Sequence, residues 1–279
     1  MARSGLAPSQ ATVPGVSGPA LASSPVSPTL LAEAGGTGDV GLLARLSGLA
    51  GRGLSRLADL GGATALDERG DREAYELHAS TYDFTSAIGA ILRVRAVEAL
   101  APGPHEVIFD AGCGTGLNFA AIEQGIGRRG RLVGIDHSPA MLRRAGERLT
   151  RGGWHNVTLV SSAADVAALG VKADGVLFCL AHDILRSPHD LARILAQVRP
   201  GGRIVAAGPK WAPLWAMPIN LATWFVNLPF ITSFEGFEQP WGHLARFVPG
   251  LHVESLQEYF GGAYVATGTT PAVGSALGH

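Results

Sequence analysis

The sequence predicts an α/β fold: a doubly wound, Rossmann-like sheet of mostly parallel strands that ends in an antiparallel hairpin. Two observations predict it. Between residues 71 and 209, short apolar runs alternate with helical stretches. Strands that are apolar on both faces are typical of a parallel sheet covered by helices. After this region, residues 253–260 and 263–267 flank the pair Gly261-Gly262, which is typical of a β-hairpin.

The apolar runs and the turn residues place the individual elements. Two helices begin at Ser138-Pro139 and Ser187-Pro188, where a capping hydroxyl precedes a proline at the first helical position. The segment 199–202, Arg-Pro-Gly-Gly, suits a tight turn before the fifth strand. Five strands are predicted, at 107–110, 132–136, 157–160, 175–180 and 204–207, with further helices at 86–100 and 117–124.

The composition changes along the chain and predicts its domain organisation. Residues 1–70 are rich in Ala, Ser, Pro and Gly, and we expect a low-complexity, largely disordered tail. Leucines at near-helical spacing between residues 42 and 60, with arginines among them, add either a membrane-surface helix or a weak helix that packs on the main domain. The main domain is expected over 71–268 with an insertion at 211–248, followed by a flexible tail at 269–279.

Charge and cysteine content limit the class of protein. The chain has 22 basic and 23 acidic residues and a net charge of -1, which argues against a nucleic-acid partner, because such binding needs excess Lys and Arg. Two cysteines cannot form a disulfide framework, and the start of the chain lacks the pattern of a secretory signal. We therefore expect a cytoplasmic protein. No Cys/His cluster has metal-ligand spacing, so no metal is expected, and nothing in the pattern predicts an oligomeric state.

A glycine-rich loop, residues 110–116 (Asp-Ala-Gly-Cys-Gly-Thr-Gly), follows the first predicted strand. Glycines let the backbone approach a ligand, and ligands of such sheets lie beyond the carboxyl ends of the strands. Asp136 ends the second strand, where a carboxylate can accept both hydroxyls of a ribose. A dinucleotide loop usually reads G-x-G-x-x-G. This loop reads G-x-G-x-G and follows an acid, which suits the ammonium and sulfonium of S-adenosylmethionine.

These segments, in this order, resemble the class I S-adenosylmethionine-dependent methyltransferases. Residues 110–116 are similar to their first motif, 134–142 to their second, and 198–205 to the entry of their fifth strand. The resemblance implies a seven-stranded sheet whose last strand is antiparallel. It also implies Asp110 and Gly112 near the methionine part of the cofactor, Asp136 on the ribose and Met141 near the adenine.

The resemblance covers residues 71–268 and departs from the family at one point. Many relatives carry Asp-Ala after the third strand, whereas this chain has Ser161-Ser162-Ala163. Ser162 can still accept a hydrogen bond, and Asp165 is a substitute further along the helix. The complete set expected to bind the cofactor is Tyr82, Asp110, Gly112, Cys113, Gly114, Asn118, Asp136, His137, Met141, Ser162, Ala163 and Cys179.

Residues near the N-terminus and in the insertion are expected at the substrate. Tyr82-Asp83, with His78 upstream, resembles the entry segment of ubiquinone/menaquinone-biosynthesis methyltransferases, where an N-terminal helix and a tyrosine close over the cofactor. The alternative is that this tyrosine only packs the entry helix on the sheet. His182 follows the fourth strand, and two interpretations stay open: a general base, or a residue that only shapes the pocket. The aromatic insertion is either an apolar lid or simple core packing, and its prolines, as hinges, favour the lid. The expected substrate contacts are His78, Trp211, Trp215, Trp224 and Phe234.

The leading hypothesis is a methyltransferase that acts on an apolar small molecule, such as an aromatic or polyketide-like metabolite or a quinone precursor. Lipid or phospholipid N-methylation is the alternative, with peripheral membrane contact, because the insertion is uncharged and aromatic. A protein of the same fold that binds S-adenosylmethionine without transferring its methyl is a further alternative, and a nicotinamide dehydrogenase is the weakest.

Overall fold

The computed structural model describes residues 52–56, 89–227, 231 and 233–271. The chain divides into two units, Met1–Leu42 and Leu43–His279, and every described residue lies in the second. The boundaries predicted at residues 70 and 268 stay predictions.

The described residues form a succession of alternating helices and strands. The helices are α1 (Ala90–Leu100), α2 (Phe119–Ile126), α3 (Pro139–Gly152), α4 (Ala163–Ala168), α5 (His182–Arg186), α6 (Pro188–Leu195), α7 (Met217–Asn227) and α8 (Leu244–Phe247). The strands are β1 (Val107–Ala111), β2 (Arg131–Ile135), β3 (Val157–Val160), β4 (Ala173–Cys179), β5 (Val198–Pro209), β6 (His252–Ser255) and β7 (Ala263–Thr269). Short 3₁₀ helices lie at Leu214–Ala216 and Gln257–Tyr259.

The strands make one seven-stranded sheet in the order β3-β2-β1-β4-β5-β7-β6. The pairs among β1 to β5 are parallel, and β7 runs antiparallel to both β5 and β6. The predicted fold class, a mostly parallel Rossmann-like sheet with an antiparallel terminal pair, is confirmed. The chain order reverses between β1 and β4, so the crevice at their carboxyl ends is the switch point where ligands of such sheets lie.

Hydroxyl caps start two of the helices that flank the sheet. Ser138 Oγ accepts a hydrogen bond from Met141 N at 3.3 Å, and Ser187 Oγ accepts one from Asp190 N at 3.2 Å. Each cap is followed by a proline, as the sequence predicts. Helix α3 is capped at its C-terminus by Gly153, whose φ of +65° favours a glycine. These caps fix the direction in which each helix leaves the edge of the sheet.

The predicted turn at 199–202 is part of strand β5 as a bulge. Ala173 pairs with Val198 and Gly175 with Arg203, so β5 has four residues where β4 has one. Gly201 has a φ of +74°, which favours glycine. The predicted hairpin is shorter than expected on one side, because β6 stops at Ser255 and a 3₁₀ turn follows.

The core lies on both faces of the sheet, because alternate residues of each central strand point to opposite sides. Phe109, Val176 and Phe178 pack on one face, and Ile108, Leu177 and Val205 pack on the other. All six side chains are buried, which explains the continuous apolar runs in the sequence. Within the described part of the chain, no helix combines the length and the hydropathy that crossing a bilayer requires.

Candidate functional site

The loop after β1 folds tightly against the ends of two neighbouring strands. Gly112 N and Cys113 N both donate to Ile135 O, at 2.8 and 2.9 Å. Gly112 has a φ of +77°, and a Cβ placed there would lie 2.6 Å from Ala181 Cβ. A side chain at this position would therefore clash with the segment after β4. The loop needs a glycine here because the ends of β1, β2 and β4 converge on it.

Asp136 receives two backbone hydrogen bonds at the end of β2. Gly114 N donates to its Oδ2 at 2.8 Å, and Ser138 N donates to its Oδ1 at 2.9 Å. Burial raises the pKa of Asp136, while these two N–H donors act in the opposite direction. Each carboxylate oxygen can accept more than one hydrogen bond. Asp136 can therefore hold the loop and still accept two hydroxyl donors from a ligand.

Asp110 is fully buried at the end of β1, where Asn118 is its hydrogen-bond donor. Asn118 Nδ2 lies 3.2 Å from both carboxylate oxygens of Asp110. Burial raises the pKa of Asp110 to about 7; the amide of Asn118 opposes this rise and the negative charge of Asp136 adds to it. A carboxyl group in this state would ionise fully if a positive charge were placed beside it.

The Asn118 side chain provides an observation that tests for a ligand. Its Oδ1 atom is buried, and among the described residues no donor reaches it. An unpaired buried acceptor costs free energy, and a ligand that brings an N–H donor would remove that cost. The amino group of S-adenosylmethionine is such a donor, and Asp110 beside it supplies the countercharge. The residues present therefore fit this cofactor.

The second motif places two of the other predicted cofactor residues, Met141 and His137, and the glycine loop places a third, Cys113. The Met141 side chain is buried in the first turn of α3. The exposed side chain of His137 faces helix α6, with its Nε2 3.9 Å from Asp190 Oδ2. Cys113 is buried, and its Sγ lies 3.8 Å from Gly114 O. Burial raises the pKa of this thiol, which leaves it neutral.

The segment after β3 uses its serines to begin helix α4. Asp165 N donates to Ser162 Oγ at 3.3 Å, and the hydroxyl of Ser162 donates to Asp165 Oδ2 at 2.9 Å. Ser161 Oγ donates to the same carboxylate oxygen at 3.1 Å. Ala163 is buried behind them. The carboxylate of Asp165 thus folds back to the end of β3.

The end of β4 brings Cys179 and His182 to the same edge of the sheet. Burial raises the pKa of the Cys179 thiol to about 12, so this thiol stays protonated. Leu180 has a φ of +59°, which is uncommon for a residue with a side chain. This turn leads to His182, which is buried at the start of α5. Its Nε2 lies 3.2 Å from Ser233 O, and since a carbonyl only accepts, Nε2 carries the proton.

An aromatic cluster of Trp211, Phe234 and Phe237 lies over His182. The Trp211 ring stacks on Phe234 with centroids 5.5 Å apart and meets the edge of Phe237 at 4.9 Å. Phe237 also meets the His182 ring at 5.1 Å. Trp224 packs against this cluster, whereas Trp215 is 73% exposed and does not join it. Tyr82 and His78 lie outside the described residues.

The sequence does not point to two members of this assembly. Phe237 is the side chain that joins His182 to the aromatic cluster, yet it follows Glu235 and Gly236, where the uncharged run has already ended. Ser55 accepts a hydrogen bond from Trp211 Nε1 at 2.8 Å across 156 positions of sequence. A contact at such a separation has no local sequence signal.

This fold and loop define a class: an open α/β domain that binds a nucleoside cofactor at its switch point. Comparison with known proteins specifies the family. Residues 108–202 match the family described as a methyltransferase domain. The ribosomal RNA small subunit methyltransferase H of Heliobacterium modesticaldum is 41% identical over 108 residues, which make up 36% of this chain and 33% of that protein.

Two further similarities extend the comparison. The aklanonic acid methyltransferase DauC of Streptomyces sp. (strain C5) is 26% identical over 145 residues, 49% of this chain and 64% of that protein. A Haloferax volcanii protein described as a methyltransferase, solved with the Trm112 methyltransferase activator, matches with a TM-score of 0.52 at 16% identity. That match covers 71% of this chain and 97% of the other, and it concerns the fold alone.

Residues 108–202 are therefore similar to a methyltransferase domain, and the cofactor that such a domain implies is S-adenosylmethionine. The chain spans about a third of the length of the first curated relatives that it matches.

Proposed function

We propose that this protein transfers a methyl group from S-adenosylmethionine to an apolar small molecule, such as an aromatic or polyketide-like metabolite or a quinone precursor. The aromatic cluster of Trp211, Phe234 and Phe237 carries the proposal. It lies beside His182, which follows β4 directly, and the segment after β4 touches the glycine loop at Gly112. An apolar wall next to a cofactor loop favours an apolar acceptor.

The chain's own residues supply the binding groups for the cofactor. Asp110 and Asn118 hold the amino end, through the carboxylate and the Asn118 Oδ1 atom. Asp136 accepts the ribose hydroxyls with the lone pairs that Gly114 and Ser138 leave open. Met141 and the Ser162–Asp165 pair lie toward the adenine. When bound, the cofactor supplies an electrophilic methyl on a sulfonium.

Positioning carries most of the catalysis in this proposal. The aromatic cluster excludes water and holds the acceptor against the end of β4, where proximity and orientation lower the barrier. His182 removes the proton from the acceptor.

The proposal is tested by incubating the protein with methyl-labelled cofactor and an extract of its source cells, followed by separation into small molecules, lipids, RNA and protein. We expect label in an apolar small-molecule fraction. The Asp136→Ala variant, which is expected to bind the cofactor more weakly, should show much less label and is the matched control. Label in RNA would contradict the proposed acceptor and point to the activity for which one relative is named. Cofactor binding without label in any fraction would contradict methyl transfer itself.

The comparison with aklanonic acid methyltransferase supports a small organic molecule as acceptor, because the name of that protein specifies an organic acid as substrate. The near-neutral charge of the chain, -1 with 22 basic residues, also supports a small molecule over RNA, since RNA backbones are bound by excess cations. Lipid methylation is the second candidate. The observation that favours it is the exposed apolar surface of the insertion.

A further inference from the structure

The insertion between β5 and β6 exposes a set of large apolar side chains on one side. Leu214, Trp215, Met217, Leu221 and Phe225, here called the apolar face, are between 45% and 73% exposed. In helix α7, Met217, Leu221 and Phe225 are four residues apart, which places them on one side of that helix. Leu214 and Trp215 lie in the 3₁₀ helix directly before it. Exposed apolar patches of this kind mark interaction surfaces.

The opposite side of the same segment is fixed to the protein. Asn220 is buried, its Oδ1 accepts from Ala212 N at 2.7 Å, and its Nδ2 donates to Ala212 O at 3.1 Å. Ala216 is also buried. Helix α7 is therefore held in one rotation about its axis, with the apolar face directed outward and the bonded face directed inward.

The chemistry of the surface specifies its partner. Residues 211–234 contain no Asp, Glu, Lys or Arg, so the apolar face presents no charge to a protein surface. Trp and Phe are the side chains that settle at the boundary between lipid headgroups and hydrocarbon. Helix α7 has 11 residues and is about 16 Å long. It is too short to span a hydrocarbon core of about 30 Å, so it would lie along the surface.

Two exposed arginines accompany this insertion. Arg52 and Arg56 lie on the helical residues 52–56, which are tied to the insertion through Ser55. Leu54 packs against the cluster of Trp211, Phe234 and Phe237. Exposed cations on a segment that packs against this insertion match the anionic headgroups that border the hydrocarbon of a bilayer.

We propose that the apolar face docks on the surface of an anionic phospholipid membrane, with Arg52 and Arg56 contacting headgroups. The inner side of the same insertion carries the aromatic cluster that lies over His182. Docking would therefore bring the candidate acceptor site to the membrane, from which a lipid-soluble substrate can enter. The docking itself does not depend on the proposed methyl transfer.

The test is co-sedimentation of the full chain with vesicles of phosphatidylcholine alone and of phosphatidylcholine mixed with phosphatidylglycerol. We expect binding to both, stronger to the mixture. The triple variant Trp215→Ser, Leu221→Ser, Phe225→Ser should bind at least about 100-fold more weakly to both, because three apolar anchors are lost. The double variant Arg52→Gln, Arg56→Gln should lose affinity only for the anionic vesicles, by roughly fivefold per arginine.

The matched control is the double variant Ile91→Ser, Val94→Ser, which removes two exposed apolar side chains from helix α1 and should bind as the parent does. The melting temperature and the affinity for S-adenosylhomocysteine show that each variant is folded, independently of any turnover. A parent that does not sediment with either vesicle would overturn the proposal. A triple variant that binds vesicles like the parent would also overturn it. The same holds if the parent forms a concentration-dependent dimer that the triple variant abolishes, because the apolar face would then bind a second copy of the chain.

Discussion

Asn118 Nδ2 donates to both carboxylate oxygens of Asp110, at 3.2 Å each. These hydrogen bonds lower the pKa of Asp110 by less than burial raises it. The pKa of Asp110 rises to about 7 because the group has no exposure to water. The pair thus combines an acid that is half ionised near neutral pH with an acceptor, Asn118 Oδ1, that lacks a donor among the described residues. Both features favour a cationic amino group as the ligand.

The first prediction concerns stability and pH. The pKa of Asp110 is about 7 in the folded chain and about 3.9 when unfolded. Between these values the folded chain binds more protons, so its free energy of unfolding falls as pH rises from about 4 to about 7. Asp110→Asn removes this loss. We compare the free energy of unfolding of the variant with that of the parent at each pH. The difference should shift in favour of the variant between pH 5 and pH 8, by on the order of 1–3 kcal/mol.

Urea unfolding at several pH values, without cofactor, measures this difference. Asp165→Asn is the control, because it neutralises an exposed carboxyl group and should show no such trend. A stability difference between Asp110→Asn and the parent that stays constant from pH 5 to pH 8 would mean that Asp110 is ionised throughout.

The second prediction concerns proton release on binding. If the cofactor's ammonium pairs with Asp110, it lowers the pKa of this carboxyl group, and the group gives up its proton. Calorimetry of S-adenosylhomocysteine binding near pH 6.5, repeated in buffers of different ionisation enthalpy, should show release of up to about one proton. Asp110→Asn should release none. Equal heats in all buffers for the parent would contradict the contact with Asp110.

The third prediction concerns the two roles of Asp136, which holds the glycine loop and is proposed to accept the ribose hydroxyls. Asp136→Ala should weaken S-adenosylhomocysteine binding by about 10–100-fold, because hydrogen bonds to a charged acceptor contribute roughly 1.5–3 kcal/mol each. Asp136→Asn keeps one oxygen acceptor and should fall between that variant and the parent. If Asp136→Ala binds S-adenosylhomocysteine as tightly as the parent and has the same melting temperature, Asp136 does not bind the ribose.

Much of the fold follows from local sequence. Short-range features of the sequence predict three parts of the structure. Apolar runs predict the strands, Ser-Pro pairs predict two helix starts through capping, and an acid directly after a buried run marks the end of each of the first two strands. No such feature predicts the bulge in β5, because Val198 and Arg203 take their register from β4 rather than from their own neighbours. The same holds for Phe237 and Ser55, whose roles depend on partners far along the chain. Tertiary packing decides such contacts, and no local pattern encodes them.

The fourth prediction concerns the contact between Ser55 and Trp211. Ser55 Oγ accepts from Trp211 Nε1 at 2.8 Å and donates to Glu238 Oε2 at 3.1 Å. Ser55→Ala leaves the buried indole N–H without this partner and should lower the free energy of unfolding by about 1–3 kcal/mol. Ser161→Ala, at an exposed serine, is the control and should change it by less than about 0.5 kcal/mol.

This measurement also bears on the domain boundary predicted at residue 70. A chain that begins at residue 71 lacks Ser55 and should show at least the loss of stability found for Ser55→Ala. If the shortened chain and the Ser55→Ala variant both melt like the parent, residues 52–56 add nothing to the fold and the boundary at 70 stands.

The last prediction decides between the two interpretations of His182. The histidine donates from Nε2 to Ser233 O at 3.2 Å and meets Phe237 edge-on at 5.1 Å, so it could either hold the insertion in place or remove a proton. His182→Gln retains an amide donor for Ser233 O but cannot act as a base, whereas His182→Ala loses both properties. If His182 is the base for a hydroxyl acceptor, both variants should lose about 10²–10⁴-fold in turnover while the affinity for S-adenosylhomocysteine stays the same. The parent's activity should then fall toward acid pH, because only the neutral ring accepts a proton, and the residual activity of the variants should not. If glutamine restores turnover to the level of the parent, His182 only positions the insertion, and proximity alone drives methyl transfer.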